Sequence, residues 1–232
     1  MSQQRLATYY LSTFGTEAHR PSLASELDPK AEAERSTRAE RLLGQIDDAL
    51  RGSGVAVGFL DAVAVSIGPG SFTGLRIGLS VAKGLVYAAG VSLVGVPTLV
   101  ALARHAVSVD PPGENEWVLA ALDARRDEVY CQLFGTQRAS YAPVRDAEDR
   151  TVVSLREELA GLRVLVAGDG AGKVIGSGDG RLRGGRAAAA GGSLCSAGAV
   201  ALLGEEMFRT GTRDDVATLE PRYIKEFFLK AR

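Results

Sequence analysis

Ser66-Ile67-Gly68-Pro69-Gly70-Ser71-Phe72-Thr73-Gly74-Leu75-Arg76-Ile77-Gly78-Leu79 is the stretch on which the reading of this chain turns. The apolar run over residues 62–67 leads into it. That run is short, β-branched at Val63, Val65 and Ile67, and stopped by Gly-Pro-Gly, which predicts a buried strand. Apolar residues at helical spacing predict a helix over 75–89, with Ser71 or Thr73 placed to cap its first turn. Strand, glycine loop, helix is an anion-binding layout, because free N–H groups at a helix N-terminus attract phosphate. Its candidate residues are Gly68, Gly70, Ser71 and Thr73. The same glycines serve equally well in a sharp turn that binds nothing. No Gly-Lys-Ser/Thr closes the loop, so it is not a P-loop. Its glycines are spaced GxGxxxG, which is not the dinucleotide fingerprint GxGxxG.

The helix adds a second feature. Gly74, Gly78 and Ala82 recur every four residues and share one face. A helical glycine costs about 1 kcal/mol relative to alanine, so two in one helix call for a reason. A stripe this small lets another helix come close, from the same chain or from another subunit. The residues alone leave both open.

Outward from the motif, Thr37 and Glu40 have capping-box spacing. Ala39, Leu42, Leu43, Ile46 and Leu50 then form an apolar stripe, and Gly52 is the expected stop. Residues 6–15 carry β-formers but no aspartate, and Pro21 breaks any strand in 16–27, so the first 30 residues are expected to be the least regular. On the other side, residues 91–96 read as a buried strand, and Pro97 and Thr98 open a helix over 99–106. Asp110-Pro111-Pro112-Gly113-Glu114-Asn115 is the densest turn cluster and the expected boundary between lobes 1–109 and 110–232.

The second half opens with strands at 117–122 and 128–134, a hairpin around Asp123-Ala124-Arg125-Arg126-Asp127. Asp123 and Glu128 there are either a carboxylate pair for chemistry or a solvated tip with Arg125 and Arg126 as countercharges. A strand at 162–167 ends in Gly168-Asp169-Gly170-Ala171-Gly172-Lys173, which is too short for a P-loop and has Val174 where Ser or Thr belongs. Residues 176–192 read as a mobile loop; Arg181, Arg183 and Arg186 carry the charge that RNA phosphates would need, the lesser of its readings, since no aromatic residue is interleaved for stacking. A last helix spans 194–208. The tail, 219–230, holds Tyr223, Phe227 and Phe228 and needs a surface to pack on.

With 232 residues, the chain has enough length for one large domain or two small ones. Hydrophobic residues make up 46% and charged residues 24%, and the net charge of −1 gives no global attraction to nucleic acid or membrane. Action on RNA would need a local basic patch or a partner. Cys131 and Cys195 stand far apart without a CxxC, and His19 and His105 have no companion ligands, so neither a disulfide framework nor a metal site is indicated. No apolar run reaches membrane-spanning length and residues 1–20 lack a signal-peptide core, so a cytoplasmic location and no membrane partner are expected.

Gly68-Pro69-Gly70-Ser71-Phe72-Thr73-Gly74-Leu75-Arg76-Ile77-Gly78 resembles the signature of the TsaB (YeaZ) family, non-catalytic relatives of TsaD in the sugar kinase/Hsp70/actin-like superfamily. The resemblance continues in Gly95-Val96-Pro97-Thr98-Leu99, Asp123-Ala124-Arg125-Arg126-Asp127-Glu128-Val129-Tyr130 and Glu220-Pro221-Arg222-Tyr223, and covers residues 37–223. It implies a two-lobed actin-like α/β fold. It also implies the role of a dimerisation and scaffold subunit for the TsaD-type transferase, which with a TsaE-type ATPase places threonylcarbamoyl on N6 of adenosine 37 in tRNAs reading ANN codons. The metal and the transfer site belong to TsaD. This chain is then expected to have no catalytic residue, no metal and no cofactor of its own, with ATP only at the level of the complex, and to touch tRNA indirectly. The family's interface, with TsaD or with a second copy, maps to Leu42, Ile46, Gly74, Arg76, Gly78 and Ala82. The chain departs from the pattern twice. Residues 6–15 lack the acid that orients a magnesium-bound phosphate, and Arg38 stands where the family often keeps a histidine. The alternatives are an active actin-like ATPase or kinase, which needs that acid and a glycine-rich phosphate hairpin, and an RNA-binding accessory module led by Arg181, Arg183 and Arg186.

Overall fold

Helix α1, Arg38–Ser53, turns Leu42 and Ile46 into the interior, where they are 4% and 6% exposed, and leaves Leu43 outside at 47%. The structure, a computed structural model, describes residues 38–137 and 140–225. The expected strand at 6–15, the Thr37 half of the capping box, His19, Phe227 and Phe228 lie outside the described residues. The expectation that Gly52 stops α1 is corrected. The helix runs through it to Ser53, and the stop is Gly54 at φ +67°, whose N–H returns to the Arg51 carbonyl at 3.1 Å.

The quoted stretch folds as a strand–loop–helix unit. Strand β1 is Ala62–Gly68, helix α2 is Phe72–Ala89, and strand β2 is Ser92–Pro97. β1 and β2 pair in parallel, from Ala62 against Ser92 to Ser66 against Val96. Parallel neighbours need a crossover, which α2 supplies. Of the two cap candidates it is Ser71 that caps α2, its Oγ accepting the Gly74 N–H at 3.3 Å, so the helix starts three residues earlier than its apolar pattern suggests. Thr73 lies inside the first turn and is exposed.

Helix α3, Thr98–Val109, follows β2 directly and runs between the two sheets. Leu99, Leu102, Ala103 and Ala106 pack on the second sheet, while Ala101 joins the side chains under β1 and β2. The turn cluster at 110–115 then leads into β3, Glu116–Asp123, and its antiparallel partner β4, Glu128–Gln137, the expected hairpin. β5, Ser140–Pro143, and β6, Glu148–Thr151, both pair with β4. Helix α4, Val152–Glu158, leads to β7, Arg163–Ala167, parallel to β3. The short α5, Ala171–Ile175, precedes β8, Gly185–Ala187, on the edge beside β7. Two sheets result among the described residues, one of β1 and β2 and one ordered β5-β4-β3-β7-β8. Phe134, Leu119, Leu155 and Leu165 are fully buried around the second. Each such side chain contributes about 1.5–3 kcal/mol of transfer free energy.

Two features were not legible in the chain order. Residues 176–192 are not a bare loop: they hold β8 and short 3-10 turns at Gly178–Gly180 and Ala190–Ser193. Helix α6, Ala197–Arg209, crosses back to the first sheet, where Ala199, Val200 and Leu203 pack with Ala64, Val94 and Val96. The segment after it stays there. Asp214 bridges to Leu93, and its carboxylate accepts the Gly95 N–H at 2.8 Å.

Candidate interaction site around the glycine loop

The loop is held by its neighbours. Gly68 sits at φ +115°, a region closed to most side chains, and a Cβ there would lie 2.6 Å from the Arg222 carbonyl oxygen. Its N–H donates to Thr98 Oγ1 at 3.1 Å, and the Ser66 and Thr98 hydroxyls are 2.5 Å apart. Thr98, 2% exposed, is among the few buried polar residues of the described chain, and both of its hydroxyl contacts go to this loop. The Arg222 N–H donates to the Ile67 carbonyl at 2.7 Å. Three segments far apart in sequence thus meet at one point: the loop, the Pro97-Thr98 corner and the Pro221-Arg222-Tyr223 tail.

The tail continues outward over α2. Tyr223 stacks near Phe72, ring centroids 5.2 Å apart, and Arg76 lies 3.9 Å over the Phe72 ring while its Nε donates to the Tyr223 hydroxyl. Two residues on, Lys225 reaches the second sheet and pairs with Glu128 on β4 and, at 3.6 Å, with Asp149 on β6. One segment therefore ties both sheets together beside the loop.

Of the candidate anion-binding groups, the Gly68 N–H is already engaged. The Gly68 and Gly74 N–H groups are taken by Thr98 and Ser71, and Gly70 and Ser71 are half-buried. Burial pushes the thiol of Cys195, whose Sγ stands 3.9 Å from the Thr98 carbonyl, up to about 12, so it stays protonated near neutrality. Among the described residues no group of three or more His, Cys, Asp or Glu is placed to hold a metal.

The six residues mapped to an interface divide. Leu42, Ile46 and Ala82 lie in the core of their own lobe with Val63, Val65 and Leu79, because α1 and α2 turn their apolar faces to β1. Their side chains are therefore packed within the chain. Arg76 is exposed and clasps the tail. Gly74 and Gly78 are buried. Among the described residues no other atom comes within 4 Å of a Cβ built on Gly78 or Gly84. Packing among the described residues thus does not require the glycine at 78. The exposed large apolar residues of these two helices are Leu43 and Tyr87, the latter at 87%, and Phe59 is exposed at 79% in the 3-10 turn Val57–Phe59 between α1 and β1; the small-residue stripe points to none of them. Tyr87 was readable as an aromatic residue nine places along the helix from Gly78, off its buried stripe.

At the β3–β4 tip the proposed carboxylate pair is separated. Asp123 pairs with Lys173 at 2.6 Å, and that bond, opposed by partial burial and aided by the Arg125 N–H, holds its carboxyl below the usual range. Glu128 belongs to Lys225. Arg125 and Arg126 both have positive φ, 71° and 47°, a backbone cost of about 1–2 kcal/mol each. Of the three loop arginines, Arg186 is committed: it pairs with Asp110 at 2.7 Å and with the buried Glu116 at 2.8 Å. One of the three arginines of the RNA-binding alternative thus ties β8 to the 110–115 turn cluster and the start of β3.

The chain matches the family model described as TsaD: tRNA N6-adenosine threonylcarbamoyltransferase over residues 31–167. It is 39% identical over 99 residues to the tRNA threonylcarbamoyladenosine biosynthesis protein TsaB of Haemophilus influenzae, covering 43% of this chain and 41% of that one. The TsaB of Escherichia coli is 43% identical over 91 residues, 39% of this chain and 38% of that protein. The alignments span about two fifths of the length of these curated relatives. YeaZ from Pseudomonas aeruginosa superposes with a TM-score of 0.65 at 28% identity, covering 80% of this chain and 84% of that one. The likeness to TsaB and the two-lobed actin-like fold read from the motifs are borne out.

Proposed function

The chain belongs to the TsaD family, and we propose that within it this chain is a TsaB-type subunit that does no chemistry itself. Its work is to bind a TsaD-type transferase, which installs threonylcarbamoyl on N6 of adenosine 37 in tRNAs reading ANN codons. A TsaE-type ATPase joins the same assembly, and in isolation the chain pairs with itself. It acts in the cytoplasm and needs no cofactor of its own; ATP enters only with the complex. Among the described residues no helix is long and apolar enough to cross a membrane.

The observation that carries this reading is the open side of α2 at Gly84 and the exposed Tyr87, three residues apart on one face. A partner helix laid there would approach the backbone closely and gain dispersion energy along its length. The contact set accordingly shifts from Leu42, Ile46 and Ala82 to Leu43, Arg76, Gly78, Gly84 and Tyr87. The loop, sealed by the tail and by Thr98, positions the start of α2.

Co-expression with the TsaD-type subunit of the same organism tests this. The two are expected to copurify in a fixed ratio, and Tyr87→Asp is expected to break the complex without lowering the melting temperature of the isolated chain. A complex that forms equally well with Tyr87→Asp and Gly78→Leu would remove α2 from the interface.

A further inference from the structure

We propose that a ridge of arginines on the second lobe, Arg125, Arg126, Arg156 and Arg181, binds the sugar–phosphate backbone of RNA. Hydrogen bonds join Arg126 and Arg156 through Lys173, and Arg156 Nε also donates to the Val174 carbonyl at 2.8 Å. Lys173 Nζ donates to the Arg126 carbonyl at 2.8 Å, Arg156 Nη2 donates to the Lys173 carbonyl at 2.5 Å, and Arg156 Nη1 lies 3.5 Å from a Cβ built on Gly180, the neighbour of Arg181. Three nearby carboxylates are engaged elsewhere, while Asp127 beside Arg126 and Glu157 beside Arg156 are exposed and form no ion pair with the ridge. Asp123 is paired with Lys173, Asp169 accepts the Asp123 N–H at 2.8 Å, and Glu128 is paired with Lys225. Arg125, Arg126 and Arg181 are exposed, and no carboxylate among the described residues lies within ion-pair distance of their guanidiniums or of Arg156.

The backbone singles out the tip. Arg125 and Arg126 occupy consecutive left-handed positions in a turn that Asn-Gly would fill without strain. Strain retained at two adjacent positions, each presenting an exposed guanidinium, points to a use for those side chains. Planar guanidiniums spread along a ridge suit phosphates. A protein partner would call for an apolar anchor at the centre of the patch. With no aromatic residue in the ridge, the binding is electrostatic and independent of sequence. The choice of RNA rests on the TsaB-type reading above, and it places a direct RNA contact on a chain whose net charge of −1 gives no hint of one.

The test uses the full chain, alone and with its TsaD-type subunit, titrated with an unmodified tRNA transcript at several salt concentrations. Arg125→Asn/Arg126→Asn relieves the turn, so it is expected to fold at least as well as the parent, to join the partner normally and to bind transcript at least tenfold more weakly at low salt. Its salt dependence should flatten by about 0.7–0.9 in log–log slope for each phosphate that is no longer neutralised. Arg125→Lys/Arg126→Lys is expected to keep most of the binding. Transcript affinity and slope unchanged in the Asn variant would overturn the ridge while leaving the TsaB-type reading intact. Equal binding of poly-glutamate by the parent would overturn it as an RNA site. A chain that binds transcript through the ridge but never joins the partner would support the ridge and remove the TsaB-type reading.

Discussion

Arg76 Nε donates to the Tyr223 hydroxyl at 3.0 Å, joining α2 to a tail 147 residues away in sequence. The contact is exposed, so its strength is modest. A hydrogen bond and a cation–π contact at such a site each contribute roughly 0.5–1 kcal/mol. Tyr223→Phe is expected to change melting by a degree or two at most. Tyr223→Ala is expected to release residues 214–225, read as faster hydrogen exchange at Arg222 and faster proteolysis of the tail. Equal exchange at Arg222 in Tyr223→Ala and the parent would show that the tail is held without the clasp.

The two motif glycines should respond in opposite ways. Gly68→Ala puts a Cβ 2.6 Å from the Arg222 carbonyl at a backbone angle alanine avoids, which costs about 1–3 kcal/mol. For a chain of this size that is a fall of several degrees in melting temperature. Gly78→Ala meets no atom within 4 Å among the described residues. It gains up to about 1 kcal/mol of helix propensity, so the isolated chain should melt slightly higher. Gly78→Leu should leave melting of the dilute chain unchanged and weaken partner binding about ten- to a hundredfold. A large loss of melting temperature in Gly78→Leu would return the stripe to the core.

Glu116 and Asp110 set an acid limit on stability. Burial alone would raise the Glu116 carboxyl. The Arg186 guanidinium and the Gly113 N–H outweigh it and hold the group below its ordinary value, and Arg186 with the Ala189 N–H lowers Asp110. A carboxyl lowered on folding contributes stability above its unfolded value, about 4, and loses it as pH falls through the folded one. Arg186→Met is expected to cost about 1.5–3 kcal/mol near neutrality, the range for hydrogen bonds to charged groups. The gap in melting temperature to the parent should narrow steadily below about pH 4. A gap that stays constant down to pH 2 would contradict this account.

How far the sequence led depends on where the information sits. β1, α2, β2 and the β3–β4 hairpin were legible because each is decided by its own pattern of apolar residues and turn formers. Leu42, Ile46 and Ala82 read as candidate contacts because an apolar stripe looks the same whether it faces a sheet or a partner; only the position of β1 shows that they pack on it. Tail closure on Gly68 and Ile67 was out of reach, since backbone hydrogen bonds leave no trace in side-chain pattern. Thr98 gave a signal, a polar residue between apolar runs at the start of a helix, but its contact with Ser66 is long-range. Arg186 read as one of three loop cations because its partners, Asp110 and Glu116, belong to another segment.

Neither cysteine is expected to act as a nucleophile. Burial pushes the thiols of Cys131 and Cys195 up to about 12, so a thiol reagent at pH 8 should find almost no reactive sulfur in the native chain and should label both after unfolding. Rapid labelling of one native thiol would reopen a catalytic reading.

The most direct test of the central claim is threonylcarbamoyl transfer to an unmodified ANN-decoding tRNA, measured with this chain alone, the TsaD-type subunit alone and the two together with a TsaE-type ATPase. The account predicts no transfer and no ATP turnover above blank by the chain alone, and transfer that needs both subunits and falls with Gly78→Leu. Transfer or ATP hydrolysis by the isolated chain, or full transfer without it, would contradict it.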